Sequence, residues 1–462
     1  MLEIEKGKII HCRELTSGRS LTGTLMISEE EIYVCIYSYS DFFHIEDENP
    51  MIFQTADNKI VSLHSNVTTT SGSSTLRIEP LRKTHRQVVF SNLALVGGDP
   101  WTNDVKVKRA TFNVRHTEQL MHHKAKVRAI GNRRFATADH FEIFAAAADG
   151  MVVGARYSAT YDMTFDAPKE FWPSFEIEFD DPRDINDYIT YVSDYVGFLS
   201  FCLGVKLKPS AIRVNRLSFE EVNTAIESDA YRGDYEAHYV WPEADINSQD
   251  RWVGGSPVRS WDDRELAALK ACLVVWMNRA SAWRRPCVLM MTSFGLKNEI
   301  SAVRLINACR WFEEIPIAQI QDALSAEDVD SIAAAASEKA NDLGHHPNIR
   351  KRIEGAIKGL KSESTEARFI RLTGMIELKF GHGILPENAV EHLKRAIRFR
   401  GKCAHGHFNP ESDAEFRAFS KSIRAMEALC FLLTAYGLPI IREGIERVRS
   451  NPLVREYHWA YD

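Results

Sequence analysis

The prevailing spacing of apolar residues changes from strand-like to helical across about residues 231 to 260, and a chain patterned this way folds as two domains of different class. Before the change, apolar residues come in short alternating runs of strand formers: Glu31–Tyr37, Arg86–Phe90, Val105–Lys108 and Phe175–Phe179. Turn-rich spacers, Thr68–Ser74 and Gly97–Pro100, separate them. Many short strands without intervening helices predict an antiparallel sandwich or barrel-like domain. Ile185, Tyr188, Val192, Val196 and Leu199 then mark one amphipathic helix, entered through Asp181–Asp184 and followed by Gly204. The rhythm lapses through Pro242, Gly254, Gly255 and Pro257. The expected class is α+β in two domains: β-rich at residues 1–240, a linker at 241–260, and all-α at 261–462.

In the second half the apolar residues recur at intervals of three and four. Leu266, Leu269, Leu273 and Trp276 define one helix, and Ile300, Val303, Ile306 and Phe312 another. An alanine-rich helix over Ser331–Ala340 has Ser325 and Asp328 placed as a capping box and Gly344 as a stop. Ile349, Ile353, Ile357 and Leu360 form a fourth stripe; Phe369, Leu372, Ile376 and Phe380, closed by Gly381, form a fifth. Phe416, Phe419, Ile423, Met426, Cys430 and Leu433 make the most regular seam, which requires helical partners. A helical bundle follows.

Between the last two stripes lies Arg400-Gly401-Lys402-Cys403-Ala404-His405-Gly406-His407, at the end of a helix that begins near Pro386. Ala389, Val390, Leu393, Ala396, Ile397 and Ala404 share an apolar arc, and Arg400 falls inside it. A guanidinium keeps its charge, so there it must be paired or open onto a site where an anion can reach it. Lys394, Arg395, Arg398 and Lys402 lie on the opposite face. On an unbroken helix His405 is roughly 140° around from Arg400. Gly401 is therefore the expected place for the helix to stop or deform and bring the two together.

Charge supports a polyanion near this stretch. The net charge is −6, but residues 1–250 carry 26 basic against 37 acidic side chains and residues 251–462 carry 31 against 26. From Arg350 to Lys402 there are 13 basic and 6 acidic residues. No apolar run is long enough to span a membrane, and the start of the chain lacks a signal-peptide core, so the expected location is the cytoplasm. The eight cysteines, without a Cys-x-x-Cys pair, fit reduced thiols. In the first half, Glu178, Asp180, Asp181 and Asp184 read as capping groups at a helix start, and adjacent His122 and His123 point apart, so neither set is expected to hold a metal.

Arginine, four residues, histidine and glycine near the junction of two helices resembles the signature of the HEPN family of ribonucleases. Family members often have a polar residue, commonly Asn, directly after the arginine, where this chain has Gly401. The resemblance implies metal-independent RNA cleavage with no cofactor. The 2′-hydroxyl attacks its own phosphate and leaves a 2′,3′-cyclic end. His405 is the expected acid or base, histidine being the residue type suited to proton transfer near neutral pH. Arg400 suits the phosphate because its fork donates two parallel bonds. Lys402, His407, Arg398, Arg395 and Lys394 are the expected further RNA contacts. The layout of a β-rich first domain, the segment Tyr191–Ser200 and this C-terminal domain is similar to the ApeA type of anti-phage HEPN nuclease. That likeness implies an abortive-infection RNase, with transfer RNA a candidate target and a phage-derived trigger received by the first domain.

Alternative uses of the same residues are weaker. Cys403 and His405 diverge on a helix, and His405, His407 and His382 lack carboxylate or thiolate partners at zinc-ligand spacing. An inactive HEPN-like module that binds RNA or protein is the second functional class. One Arg and one His are few groups for a reaction needing base, acid and charge stabilisation. A homodimer through the C-terminal domain is therefore expected, with Val390, Leu393 and Ile397 in contact and both motifs at one cleft.

Overall fold

Alternating burial along short β-branched and aromatic segments builds a single long sheet in the first half of the chain. Its strands are β1 (Ile9–Glu14), β2 (Thr22–Ile27), β3 (Ile32–Ser38), β4 (Met51–Thr55), β5 (Ile60–His64), β6 (Thr68–Ser74) and β7 (Thr84–Ser91). They continue as β8 (Leu93–Gly97), β9 (Val107–Val114), β10 (Glu142–Ala148), β11 (Met151–Tyr161), β12 (Pro168–Arg183), β13 (Pro209–Asn215) and β14 (Tyr235–Tyr239). This is a computed structural model, which describes residues 6–16, 21–38, 50–64, 68–74, 84–131, 138–161, 168–229, 231, 233–241, 255–406, 408 and 410–459. Strand neighbours follow the order β10-β11-β12-β9-β13-β14-β8-β5-β4-β1-β2-β3-β7-β6. Every pairing is antiparallel.

The register shows why one face is core. Leu25 pairs Val34 and Ile27 pairs Ile32, and all four are buried with Ile36, Phe53, Val61 and Leu63 in one cluster. Each such side chain contributes about 1.5–3 kcal/mol on leaving water. β5 is buried along its whole length, His64 included. Burial pushes the His64 imidazole down to about 4. Helices α1 (Lys124–Ile130), α2 (Ala138–Phe141), α3 (Ile185–Leu203) and α4 (Phe219–Glu227) punctuate the strands. The expected helix at 185–199 is α3, and Gly204 after it adopts φ +66°.

Two expectations in this half are corrected. Thr68–Ser74, read as a spacer, is β6 and pairs along β7; three threonines favour an extended backbone, and pairing carries the Ser/Gly end. Residues 231–260, read as irregular, contain β14, which joins β13 to β8. The expected strand at Val105–Lys108 begins at Val107, and residues 242–254 of the expected linker lie outside the described residues. Among the acidic residues, Glu178 accepts from the Phe219 amide at 3.1 Å at the start of α4, and Asp184 pairs with Lys106. His123 accepts from the Lys126 amide at the start of α1, whereas His122 lies against the Trp261 ring.

From residue 263 onward the described chain is helical: α5 (Asp263–Gly295), α6 (Ala302–Glu314), α7 (Ala326–Asp342), α8 (Pro347–Lys358), α9 (Thr365–Phe380), α10 (Ala389–Ala404), α11 (Asp413–Tyr436), α12 (Arg442–Arg449) and α13 (Pro452–Trp459). Short 3₁₀ turns lie at Pro316–Ala318 and Gly359–Lys361. By internal contacts the chain divides into one unit of residues 1–199, 206–251 and 259–278 and a second of 200–205, 252–258 and 279–462. In the second unit α11 is central, buried on all sides from Ala425 to Ala435, with α6, α9, α10 and α13 packed on it. Phe369, Leu372, Ile376 and Phe380 of α9 are buried as their spacing predicts, and Gly381 ends the helix at φ +92°. Ser325 caps α7 by accepting from the Asp328 amide, and Gly344 follows at φ +74°.

Other helical expectations fail. On α6 the buried face is Leu305, Ala308, Cys309, Trp311 and Phe312, and Val303 is exposed. On α8 none of the Ile349–Ile353–Ile357 stripe is buried.

Candidate functional site

α10 places the motif, and its orientation differs from the expected arc. Its buried residues are Ala389, His392, Leu393, Ala396 and Phe399, while Val390 and Ile397 are half-buried and Ala404 is exposed. Two residues outside the expected arc turn the helix: Phe399 packs against Phe408 and Phe419, and His392 Nδ1 meets the Tyr457 hydroxyl at 2.9 Å. Burial holds the His392 imidazole below its usual range. Arg400 therefore sits at the rim of the buried face, not inside it, and is half-buried.

Its partner is Glu313, in the last turn of α6. The guanidinium donates through Nη1 to Oε1 and through Nη2 to Oε2 at 3.0 Å, a two-point fork onto one carboxylate. The two side chains are 34% and 40% exposed, so solvent reaches the pair. No expectation from the sequence included Glu313. The available signal was its position: Glu313 and Glu314 end a helix with no basic residue in its last turn, where the helix dipole disfavours carboxylates. Both find arginines, Glu314 with Arg285 at 3.0 Å. Arg368 of α9 completes this neighbourhood, with its guanidinium 4.3 Å from the centre of the Phe312 ring and Nε donating to Ala318 O at 2.5 Å.

Gly401 does not break the helix. α10 runs through it to Ala404, and the left-handed residue is Gly406, at φ +70°, whose amide donates to Cys403 O at 3.0 Å. With Gly406 at the αL position, Gly401 stays helical and exposed, and Arg400 and His405 keep the roughly 140° separation of a regular helix. His405 is the C-cap, at φ −94° and ψ 7°, and is exposed. Phe408 stacks on Phe419 at 4.2 Å between centroids and so ties the segment after the turn back to α11.

The remaining expected contacts are on the surface and paired. Lys394 meets Glu366 at 3.0 Å, Arg395 and Arg398 both meet Glu391, at 3.2 and 3.0 Å, and Lys402 meets Glu415 at 3.5 Å. Such exposed pairs are weak and exchangeable. His407 lies outside the described residues. Cys403 is half-buried, and burial pushes its thiol up, the opposite of what a nucleophile needs. His382 pairs with Glu377 at 3.4 Å. Leu393 is buried in the core of its own unit and has no surface to offer a second subunit.

Sequence reading also missed the polar centre of the unit. Arg304 of α6 and Glu427 of α11, each 1% exposed, form a second fork, at 3.0 Å (Nε to Oε1) and 2.6 Å (Nη2 to Oε2). Arg304 Nη1 also donates to Lys297 O at 2.5 Å and Glu299 O at 2.7 Å. Burial holds the Glu427 carboxyl above the usual carboxylate range, against the pull of the guanidinium. This network fixes α6 against α11 and so positions Glu313.

The fold and site define a two-unit α+β protein: an antiparallel sheet domain and a helical unit with a solvent-reachable Arg400–Glu313 pair and, at the end of the same helix, an exposed His405. The family model ApeA N-terminal domain 1 matches residues 16–242. No curated protein and no solved structure matches the chain. No helix among the described residues is long and apolar enough to cross a membrane.

Proposed function

We propose that the chain is an anti-phage effector whose helical unit is a metal-independent HEPN-type endoribonuclease. The observation that carries this reading is Arg400 at the rim of α10, its fork held by an exchangeable carboxylate, with His405 at the exposed end of the same helix. The ApeA match of residues 16–242 supports the defence role. A phosphate that displaces Glu313 gains the two-point contact, and Arg400 stabilises the charge that develops on it. His405 exchanges a proton with the 2′-hydroxyl or the departing 5′-oxygen. Lys402, Arg398, Arg395 and Lys394 hold flanking phosphates, their carboxylate partners giving way to the polyanion. Because Arg400 and His405 point to different sides of α10, one copy supplies an incomplete set. The reactive site takes Arg400 and His405 from two copies, the acidic first domain receives a phage-derived trigger, and cellular RNA, transfer RNA included, is the substrate.

The Arg400–Glu313 fork itself favours a second reading, an inactive module in which the pair is structural. Incubation of the chain with total RNA in EDTA separates them. Fragments ending in 2′,3′-cyclic phosphate, lost in Arg400→Ala and His405→Ala, are expected of the nuclease. Intact RNA in the presence of the trigger leaves the binding module.

A further inference from the structure

Residues 322–362 form an arm set apart from the rest of the helical unit. Asp322 and Ser362 pair in an isolated antiparallel bridge, Ala323 donates to Lys361 O at 2.6 Å and Glu363 to Gln321 O at 2.9 Å, and Lys361 and Asp322 form an ion pair at 3.4 Å. Beyond this clasp α7 and α8 are joined by a short turn and pack chiefly on each other and on the 3₁₀ turn Gly359–Lys361. The seam is thin. α7 buries Val329, Ala333 and Ala340, and α8 buries no residue. Ile332, Leu343, Ile349 and Leu360 remain 47%, 64%, 44% and 61% exposed. A helix pair with so little core of its own and aliphatic side chains on both helices gains by covering them.

Charge selects the occupant. α7 carries five carboxylates and one lysine, whereas α8 carries four cations and one carboxylate. Much of this charge is not used inside the arm: among the described residues Glu327, Glu338 and Asp342 of α7 and Lys351 and Arg352 of α8 make no ion pair. The arm is thus complementary to itself. A Cβ added at Gly355 of α8, or at Gly359 of the 3₁₀ turn that follows, would meet nothing within 4 Å, so a second helix can approach closely there. RNA fits this surface poorly, because the α7 carboxylates oppose phosphates and exposed aliphatics offer them nothing.

We propose that the α7–α8 arm is a self-association surface that meets the same arm of a second copy of this chain, α7 of each copy lying against α8 of the other. Two-fold symmetry then closes a four-helix bundle, repeats each acidic-to-basic contact, and covers the aliphatic residues of both arms. The inference rests on the arm alone and stands whether or not the Arg400 site cleaves RNA.

The test is the assembly order of the full chain by sedimentation velocity across a wide concentration range. Ile349→Glu/Leu360→Glu alters only exposed positions and is expected to weaken association at least about tenfold, halving the assembly at the concentration where the wild type is joined. Lys351→Glu/Arg352→Glu, and separately Glu338→Lys/Asp342→Lys, are each expected to weaken it as well. The two charge reversals mixed, or combined in one chain, restore it. A monomeric wild type, an unchanged assembly in the apolar variant, or charge reversals without mutual rescue overturn the proposal. So does Lys351→Glu/Arg352→Glu losing RNA affinity while keeping its mass, which would make the arm an RNA contact.

Discussion

Replacing Glu313 by Gln tests whether the carboxylate on Arg400 is a counter-ion that RNA displaces. The amide keeps the shape and one acceptor but removes the charge. Both partners are more than a third exposed, so their pairing is a solvent-screened one worth about 0.2–1 kcal/mol. Glu313→Gln should therefore lower the thermal midpoint of the helical unit by no more than about 4 °C. The same energy, no longer spent holding Arg400, should appear as RNA affinity up to about fivefold tighter, since about 1.4 kcal/mol is a factor of ten. The assay is equilibrium binding of a single-stranded RNA at fixed salt to His405→Ala and to His405→Ala/Glu313→Gln, both silent in cleavage. Repeating it with Arg400→Ala in both chains closes a double-mutant cycle, in which the gain should vanish. Weaker binding in Glu313→Gln would make Glu313 a residue that positions Arg400, and an equal gain with and without Arg400 would reduce the effect to general electrostatics. Either result refutes the displacement argument.

Three further outcomes are expected. Glu427→Leu strands the Arg304 charge in a site 1% exposed, and with two carbonyl acceptors remaining it should cost about 3 kcal/mol in urea unfolding, most of it recovered in Arg304→Met/Glu427→Leu; a loss below about 1 kcal/mol would show that the fork is not needed. The His64 imidazole, held down to about 4 by burial, takes a proton in the unfolded chain before the folded one, so its contribution is fully present above pH 6.5 and lost as pH falls toward 4. The sheet domain should lose about 2 kcal/mol from pH 7 to pH 5, and His64→Phe should flatten that slope; an unchanged slope contradicts the assignment. Arg400→Ala and His405→Ala chains, each inactive alone, should regain cleavage when mixed, and mixtures that stay inactive while co-sedimenting exclude a site shared between copies.

The parts of this fold legible in the sequence are those where one helix face meets a continuous core. α9 and the seam of α11 from Phe419 onward bury the residues their three-and-four spacing marks, because both helices pack along that face; Phe416, at the start of the seam, is exposed in the first turn of α11. α10 misleads because its burial is decided by particular partners: Tyr457 takes His392 and the Phe408–Phe419 stack takes Phe399, which rotates Val390 and Ile397 toward the edge and Arg400 to the rim. α8 misleads in another way. Its stripe is genuine, but α7 covers it only in part, leaving Ile353 and Ile357 half-buried and Ile349 exposed. The motif itself was readable, yet Glu313 and the Arg304–Glu427 fork were not, since pairing between helices leaves no local pattern. β6 was lost to composition, its serines and glycine outweighing three threonines that pairing with β7 holds extended.

The central place of α11 sets the order in which the protein can mature during synthesis. Glu427 leaves the ribosome 123 residues after Arg304, a wait on the order of 10 s at ordinary elongation rates. During that interval α6 has a charged arginine on its future inner face and no carboxylate to receive it, and α9 and α10 lack the helix they surround. The nascent helical unit therefore cannot hold Glu313 and Arg400 in their final register until α11 has emerged. For a protein whose proposed activity is harmful to the cell that makes it, this delay keeps the proposed Arg400 and His405 site from forming before the chain around it is built.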